Sequence, residues 1–180
     1  DLDNDGFDDI YLVGNFSGAD MMTVAYEGGT SAWLRGRGDG TFEAVPSHAS
    51  GLLVPFDARG VAVSDYDKDG WVDILVGINN GRPMLFRNDG RNGNQSISIR
   101  LVGPAVNPTG VGARVTLTRS HGTSSTREIL LGSGYLSQDS AALVFGMSQS
   151  ATATITVIWP DGHVTTMENV AAGEQVTISP

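Results

Sequence analysis

An aspartate-rich segment occurs twice in this chain, at residues 1–10 and again at 65–74. Each copy has aspartates at positions 1, 3, 5 and 9, a glycine at position 6 and an aromatic residue at position 7. Calcium takes about six to eight oxygen ligands, and alternating aspartates on a tight turn supply them, while the glycine permits the turn. The pattern predicts two calcium sites, each with four carboxylates and the position-7 backbone carbonyl as ligands: Asp1, Asp3, Asp5, Phe7 and Asp9, and Asp65, Asp67, Asp69, Trp71 and Asp73.

The acidity of the chain is concentrated in these two loops. The sequence has 20 acidic and 11 basic residues, a formal charge of -9 at neutral pH. Nine of the acids and one base, Lys68, lie in the loops, so the rest of the chain carries eleven acids against ten bases. Carboxylates this close together repel one another unless a cation neutralises them. Two solvated acidic turns are the alternative, but the ligand spacing favours calcium.

The two loops differ from EF-hands, which need a glutamate at loop position 12 and flanking helices. Position 12 is Leu12 in the first copy and Val76 in the second. A short apolar run typical of a buried strand follows each loop, at residues 10–13 and 74–78, and residues 60–63 predict a strand before the second loop. The predicted unit is therefore strand, calcium loop, strand.

Residues 60–76 and 85–90, together with the Gly-Asp-Gly-Thr-Phe segment at 38–42, resemble FG-GAP (VCBS-type) repeats. In that family each repeat resembles one four-stranded blade of an integrin-α-type β-propeller, with calcium in the loop between two strands. The resemblance implies partial propeller blades over residues 1–92, with the loop aspartates as ligands. Because residue 1 is already a predicted ligand, we expect a preceding strand and a longer parent protein.

The second half of the chain has motifs of its own, among them Gly-Ser-Gly-Tyr-Leu-Ser-Gln at 132–138 and Ile-Trp-Pro-Asp-Gly at 158–162. With residues 93–101, 110–117 and 143–146 they resemble the ASPIC/UnbV domain. That domain typically follows FG-GAP repeats in secreted and bacterial envelope proteins, including the cartilage acidic protein family. The resemblance implies a second domain at residues 93–180, but it implies no mechanism.

Alternation of apolar and polar residues predicts that the second half is also built from strands. Asp-Gly at 161–162 and Asn-Gly at 80–81 are hairpin signals between such runs, the latter joining 74–78 to 83–87. Twenty-four glycines suit an all-β chain with many turns. We expect an all-β protein in which partial propeller blades precede a small β-sandwich or barrel. The predicted strands of the second half are 96–102, 113–119, 126–131, 142–145, 153–159, 163–167 and 174–178.

The charge distribution also limits the partners. A low pI and the lack of a basic stripe argue against nucleic acid and anionic membranes. No apolar run approaches the length of a membrane-spanning helix, so we expect no membrane insertion. Weak calcium loops fill in extracellular calcium and stay empty in cytosolic calcium, which favours an extracellular, periplasmic or cell-surface location. The expected partner is a protein or glycan ligand.

Three short motifs have ordinary explanations. Arg-Gly-Asp at 37–39 matches an integrin-recognition tripeptide, but residues 38–42 are already assigned to a hairpin turn. Asn15 and Asn94 begin glycosylation acceptor sequences, which matter only in a eukaryotic host.

The sequence predicts no catalytic residues. His48, His121 and His163 are far apart and show no spacing typical of a metal site or triad. A polar cluster in the second half is interpreted as a glycine-rich turn, with Tyr135 and Leu136 packed inward. The members of that cluster are Ser133, Tyr135, Ser137, Gln138 and Asp139.

Three classes of function follow. The favoured one is a calcium-stabilised, non-catalytic binding or adhesion module. The second is the accessory, ligand-binding part of a larger carbohydrate-active enzyme whose chemistry lies elsewhere. The third, an independent enzyme, is disfavoured because no acid–base constellation is visible.

Overall fold

The computed structural model describes residues 1–14 and 30–180, and this part of the chain is all-β, as predicted. Thirteen strands and one four-residue helix, α1 (Ser47–Ser50), make up its regular structure. The strands are β1 (Ile10–Leu12), β2 (Ala32–Gly36), β3 (Phe42–Val45), β4 (Ala58–Ser64), β5 (Asp73–Ile78), β6 (Met84–Phe86), β7 (Gln95–Leu101), β8 (Arg114–Arg119), β9 (Ser124–Glu128), β10 (Leu143–Ser148), β11 (Thr152–Ile158), β12 (Val164–Ala171) and β13 (Gln175–Ile178).

The first half forms two three-stranded antiparallel sheets, one for each aspartate loop. The sheet orders are β1-β2-β3 and β4-β5-β6. The second loop connects β4 to β5, which pair with Val61 opposite Val76 and Val63 opposite Ile74, so the predicted strand–loop–strand unit is confirmed there. The first aspartate loop leads into β1, which pairs with β2.

Neither of these sheets has the four strands of a complete blade within residues 1–14 and 30–180, and none of the four sheets closes on itself. The propeller therefore stays a prediction. The Asn-Gly turn joins β5 to β6 as expected, with Asn80 at φ 53°. Asn tolerates this left-handed conformation better than most residues with a side chain.

The second half has two sheets that share one core. The sheet orders are β10-β7-β13 and β12-β11-β8-β9. Alternate residues of β7, β8 and β11 point into the common core, including Ile99, Leu117 and Ile155, which are all fully buried. This period-2 burial is the physical origin of the alternation in the sequence.

The described core of the first half is smaller. Among residues 1–14 and 30–92, Val54, Ala58, Ile74 and Val76 form one buried apolar cluster, whereas the second half buries fifteen apolar residues in a single cluster. Since burial of apolar area is the main favourable term in folding, the first half depends more on polar contacts and on its neighbour.

One expectation about packing is wrong. Tyr135 and Leu136 do not pack inward but are 70% and 79% exposed. The turn is held instead by Gln138, whose side chain accepts from the N–H of Gly132 and donates to the carbonyl of Leu130. Side-chain hydrogen bonds of this kind can hold a turn without apolar anchoring.

Candidate metal centres

The two aspartate loops have the same backbone conformation. Position 4 is left-handed in both, with φ of 54° at Asn4 and 63° at Lys68. Position 6 has φ of 94° at Gly6 and 88° at Gly70, a region that only glycine adopts without strain. The sequence repeat is therefore a structural repeat.

Matching hydrogen bonds hold the carboxylates in both loops. The N–H of position 6 donates to Oδ2 of position 1, over 3.1 Å at Asp1 and 3.0 Å at Asp65. The N–H of position 7 donates to Oδ1 of position 5, over 2.9 Å at both Asp5 and Asp69. These bonds fix the side chains at the inner turn of each loop.

The position-9 carboxylates tie each loop to the sheet beside it. Asp9 accepts from the N–H of Leu2 at 2.7 Å, and from the N–H of Gly36, at the end of β2, at 2.8 Å. Asp73 accepts from the N–H groups of Tyr66 at 3.1 Å and Asn88 at 2.8 Å. Gly36 and Asn88 could not be predicted as partners from the sequence, because both are distant from the loop aspartates in the chain.

Three of the four predicted carboxylates converge in each loop. One group holds Asp1, Asp3 and Asp9, the other Asp65, Asp67 and Asp73, and the three oxygen atoms of each group lie within 4.8 Å of one another. The fourth carboxylates, at position 5, are outside these groups and accept instead from the N–H of position 7. Calcium binding by any of these residues stays a prediction.

The aromatic residue at position 7 of each loop packs on a glycine further along the chain. A Cβ placed on Gly38 would lie 2.3 Å from the Phe7 ring, and one on Gly90 would lie 2.3 Å from the Trp71 ring. Each ring thus packs directly on a glycine, which explains the Gly-Asp-Gly and Asn-Asp-Gly motifs. The role of the Phe7 and Trp71 carbonyls as ligands stays a prediction.

The electrostatics of both loops suit a hard cation. Oδ1 of Asp1 is buried without a hydrogen-bond partner in the described part of the chain. Burial, with the neighbouring carboxylates second, raises the pKa of Asp3, and burial also raises the pKa of Asp5 and Asp73. A bound divalent cation would reverse these shifts by stabilising the charged forms. The all-oxygen donor set therefore fits calcium.

Arginines partly neutralise the loops. Arg87 contacts Asp67 at 2.6 Å and Asp69 at 3.2 Å. The hydrogen bond from Arg87 to Asp67 lowers the pKa of Asp67. In the first loop Arg35 is more distant, at 3.8 Å from Asp3. Among the predicted ligands, those of the second loop thus have the closer arginine.

The first loop is held against the second half of the chain by two arginines. Arg119 is buried and donates to the carbonyl of Gly146 at 2.8 Å and to that of Gly6 at 3.3 Å. Arg127 contacts Asp8 at 3.0 Å and packs over a core phenylalanine. The N–H of Gly146 also donates to Oδ2 of Asp1 at 3.2 Å, so a predicted ligand is itself part of this contact.

The second loop touches both the first loop and the second half. Its Gly70 carbonyl accepts from Asn4 at 3.1 Å and from Ser96 at 2.5 Å, and its Lys68 carbonyl accepts from Gln175 at 3.1 Å. Both predicted metal loops therefore lie at one junction. Sequence patterns could not reveal it, because its contacts join residues far apart in the chain.

The other motifs noted in the sequence form no further metal centre within residues 1–14 and 30–180. Asp39, of the Arg-Gly-Asp tripeptide, accepts from Thr41 within the β2–β3 hairpin, as expected for a turn. His121 contacts the Ser150 and Thr123 hydroxyls. No histidine joins a group of possible metal ligands in residues 1–14 and 30–180. Asn15, the first glycosylation candidate, lies outside the described residues.

Comparison with known protein families matches both halves. The model of an FG-GAP-like repeat matches residues 1–76, and that of the ASPIC and UnbV domain matches residues 103–180. The chain carries FG-GAP-like repeats followed by an ASPIC/UnbV domain. The order of these two units agrees with the order inferred from the sequence.

Two curated relatives are similar to part of this chain. Cartilage acidic protein 1 of Homo sapiens is 32% identical over 124 residues, which is 66% of this chain and 18% of the relative. Cartilage acidic protein 1 of Xenopus tropicalis is also 32% identical over 124 residues, 66% of this chain and 19% of the relative. The chain thus spans about a fifth of the length of these distant homologues. Within residues 1–14 and 30–180, no helix is long and apolar enough to cross a membrane.

Proposed function

We propose that this chain is a calcium-binding, non-catalytic binding or adhesion module of the cell exterior or envelope, in which calcium stabilises the fold. The observation that carries the proposal is the pair of converging carboxylate groups, Asp1, Asp3 and Asp9 and Asp65, Asp67 and Asp73, at the junction of the two halves. Like charges held this close favour binding of a divalent cation. In the whole protein we expect the repeats to be propeller blades and the second half to be a β-sandwich.

Calcium has a structural role in this proposal. The loops lack the position-12 glutamate and the helix pair through which EF-hand sensors open. Both loops are instead fixed to neighbours, through contacts such as Arg119 to Gly6 and Ser96 to Gly70. At ~1 mM free calcium and a dissociation constant of ~0.1 mM, each site adds about 1.4 kcal/mol to the free energy of unfolding.

The small core of the first half makes that contribution matter. Only Val54, Ala58, Ile74 and Val76 form its buried cluster among the described residues. Small domains with little apolar burial commonly gain stability from metals or other staples. Two calcium ions at the junction would stabilise the first half and its contact with the second half together.

The same affinity range supports a location outside the cytoplasm. Loops of this kind fill at millimolar extracellular calcium, whereas cytosolic concentrations leave them empty. The two curated relatives are named after cartilage, a tissue rich in extracellular matrix, and this also supports the proposed location.

Binding is favoured over turnover by the arrangement of nucleophiles and bases. The closest pairing of a hydroxyl with a histidine in the described ranges is Ser150 with His121, and the second nitrogen of that ring contacts Thr123 rather than a carboxylate. Ser150 is also buried, at 6% exposed. A nucleophile needs access to substrate and an oriented base, so this pair is structural.

Thermal unfolding tests the proposal. We expect calcium to raise Tm relative to a chelator, and magnesium to do so far less because it requires smaller octahedral sites. Asp65→Asn keeps a hydrogen-bond acceptor but removes a ligand charge, so it should reduce the calcium-dependent shift. Asp161→Asn, in the exposed β11–β12 turn, is the matched control and should leave the shift unchanged. Equal Tm values with calcium and chelator would refute the proposal.

A further inference from the structure

A cavity of about 560 Å³ lies between the two repeats. One wall comes from the first aspartate loop, β2 and α1, and the other from the second loop and residues 86–92. This volume falls within the roughly 300–1,000 Å³ of small-molecule clefts. Neither the predicted calcium sites nor the contacts between the two halves explain why this space is present.

Aromatic side chains give the cavity apolar faces. Trp33 of β2, Trp71 of the second loop and Phe86 of β6 all line it. Trp71 is held in place by its packing on Gly90, and Phe86 belongs to the periphery of the apolar core. The aromatic faces are therefore positioned before any ligand arrives, which lowers the entropic cost of binding.

Charged side chains around the cavity balance one another. Asp3 and Asp89 are balanced in formal charge by Arg87 and Arg91. Arg91 pairs with Asp89 at 2.6 Å, and Arg87 pairs with Asp67 and Asp69 of the second loop. A strongly anionic or cationic ligand would have to break these pairs. A neutral ligand whose groups both donate and accept can instead use carboxylates and guanidinium groups together.

The polar groups of the walls are held by the protein itself. The indole N–H of Trp33 is buried and has no acceptor in the described part of the chain. Asn88 is fixed by bonds from its side chain to the carbonyls of Leu2 and Val72, so this wall is rigid. Rigid polar groups beside aromatic faces give orientation and specificity to a small ligand.

We propose that this cavity binds a neutral oligosaccharide. A sugar ring presents an apolar C–H face to an aromatic side chain, and its hydroxyls act as donors and acceptors at once. The inference deepens the proposed binding function and rests on it. Because Asp3 and Trp71 belong to the metal loops and also line the cavity, calcium would hold its walls in place.

Isothermal titration in calcium buffer with cellotriose, chitotriose, maltotriose and mannotriose, and with a heparin tetrasaccharide as the charged probe, tests the proposal. We expect saturable binding of at least one neutral trisaccharide. Trp33→Ala and Arg91→Ala should each weaken that binding about tenfold. Phe56→Ala, an exposed aromatic residue of the same half that does not line the cavity, is the matched control and should leave it unchanged.

Arg91 is 86% exposed, so Arg91→Ala remains informative even if Trp33→Ala fails to fold. Binding that survives both substitutions overturns the cavity as the site, and so does binding of the charged probe alone. If no neutral sugar binds although calcium raises Tm, the sugar inference is wrong and the calcium proposal stands. If calcium has no effect on Tm, the proposed function itself fails.

Discussion

Replacing Arg119 with methionine tests whether the junction between the two halves stabilises the protein. The Arg119 side chain is 3% exposed and carries the contacts from β8 to the first metal loop. Methionine keeps much of the apolar volume but donates no hydrogen bond. The substitution thus removes the polar contacts and largely preserves the packing.

The magnitude follows from the groups left without a partner. Arg119 donates to the carbonyls of Gly146 and Gly6 and, over 3.0 Å, to the hydroxyl of Ser125. A buried polar group that loses its partner costs about 1–3 kcal/mol. Opposing this, burial lowers the pKa of Arg119, which means that the charged form is penalised in the fold, and methionine relieves that penalty. The Gly6 carbonyl keeps the Ser125 hydroxyl as a donor at 3.2 Å, whereas the Gly146 carbonyl loses the guanidinium, so we expect a net loss of about 2 kcal/mol.

Thermal and urea unfolding of Arg119→Met measure this loss, which corresponds to roughly 4–8 °C in Tm for a chain of this size. Arg114→Met makes the same chemical change at an exposed position of the same strand and should shift the free energy of unfolding by less than about 0.5 kcal/mol. Equal stability of the Arg119 variant and the wild type would refute the reasoning, since desolvation of the guanidinium would then cancel the value of its hydrogen bonds.

Three further substitutions probe the loops and the sheet edge. Asp67→Ala removes a carboxylate of the converging group and should abolish most of the calcium-dependent stabilisation of the second site, about 1.4 kcal/mol, as measured by the difference between melts in calcium and chelator. Gly90→Ala should destabilise by about 2 kcal/mol in urea unfolding, because the glycine has φ of 61° and a Cβ would meet the Trp71 ring at 2.3 Å. Asp139→Ala should cost about 1 kcal/mol and increase amide hydrogen exchange at Val63, whose N–H on edge strand β4 donates to Asp139 over 2.9 Å.

Much of the strand structure followed from local pattern. The alternation at 113–119 and 153–159 predicted β8 and β11 to within one residue of their ends. The strand predicted at 126–131 is instead Ser124–Glu128, because it pairs with β8 through Thr116 opposite Thr126. Register depends on the partner strand, and the sequence of one strand does not contain it.

Strands β2 and β3 were not predicted beyond the turn between them. Their residues are mostly half-buried or exposed, and Ala32–Gly36 shows no strict alternation, so the periodic signal was weak. They form because Trp33 pairs with both Tyr11 and Val45 across the sheet. Pairing with neighbouring strands outweighs the weak local propensity of these two strands.

The candidate metal sites also combine features that the sequence predicts with features that it does not. The aspartates at positions 1, 3 and 9 of each loop could be found from spacing, because a tight glycine turn brings them together locally. The contacts of Arg119, Arg127 and Asn88 could not, since each joins residues far apart in sequence. The position of both loops at the junction is therefore a property of the tertiary fold.

Direct counting of bound calcium tests the central claim most directly. Isothermal titration of the chelated protein with calcium chloride should give two ions per chain, and anomalous scattering from crystals grown in calcium should place one beside Asp1, Asp3 and Asp9 and the other beside Asp65, Asp67 and Asp73. No measurable heat of binding, together with no anomalous peak in either loop at millimolar calcium, would contradict the account.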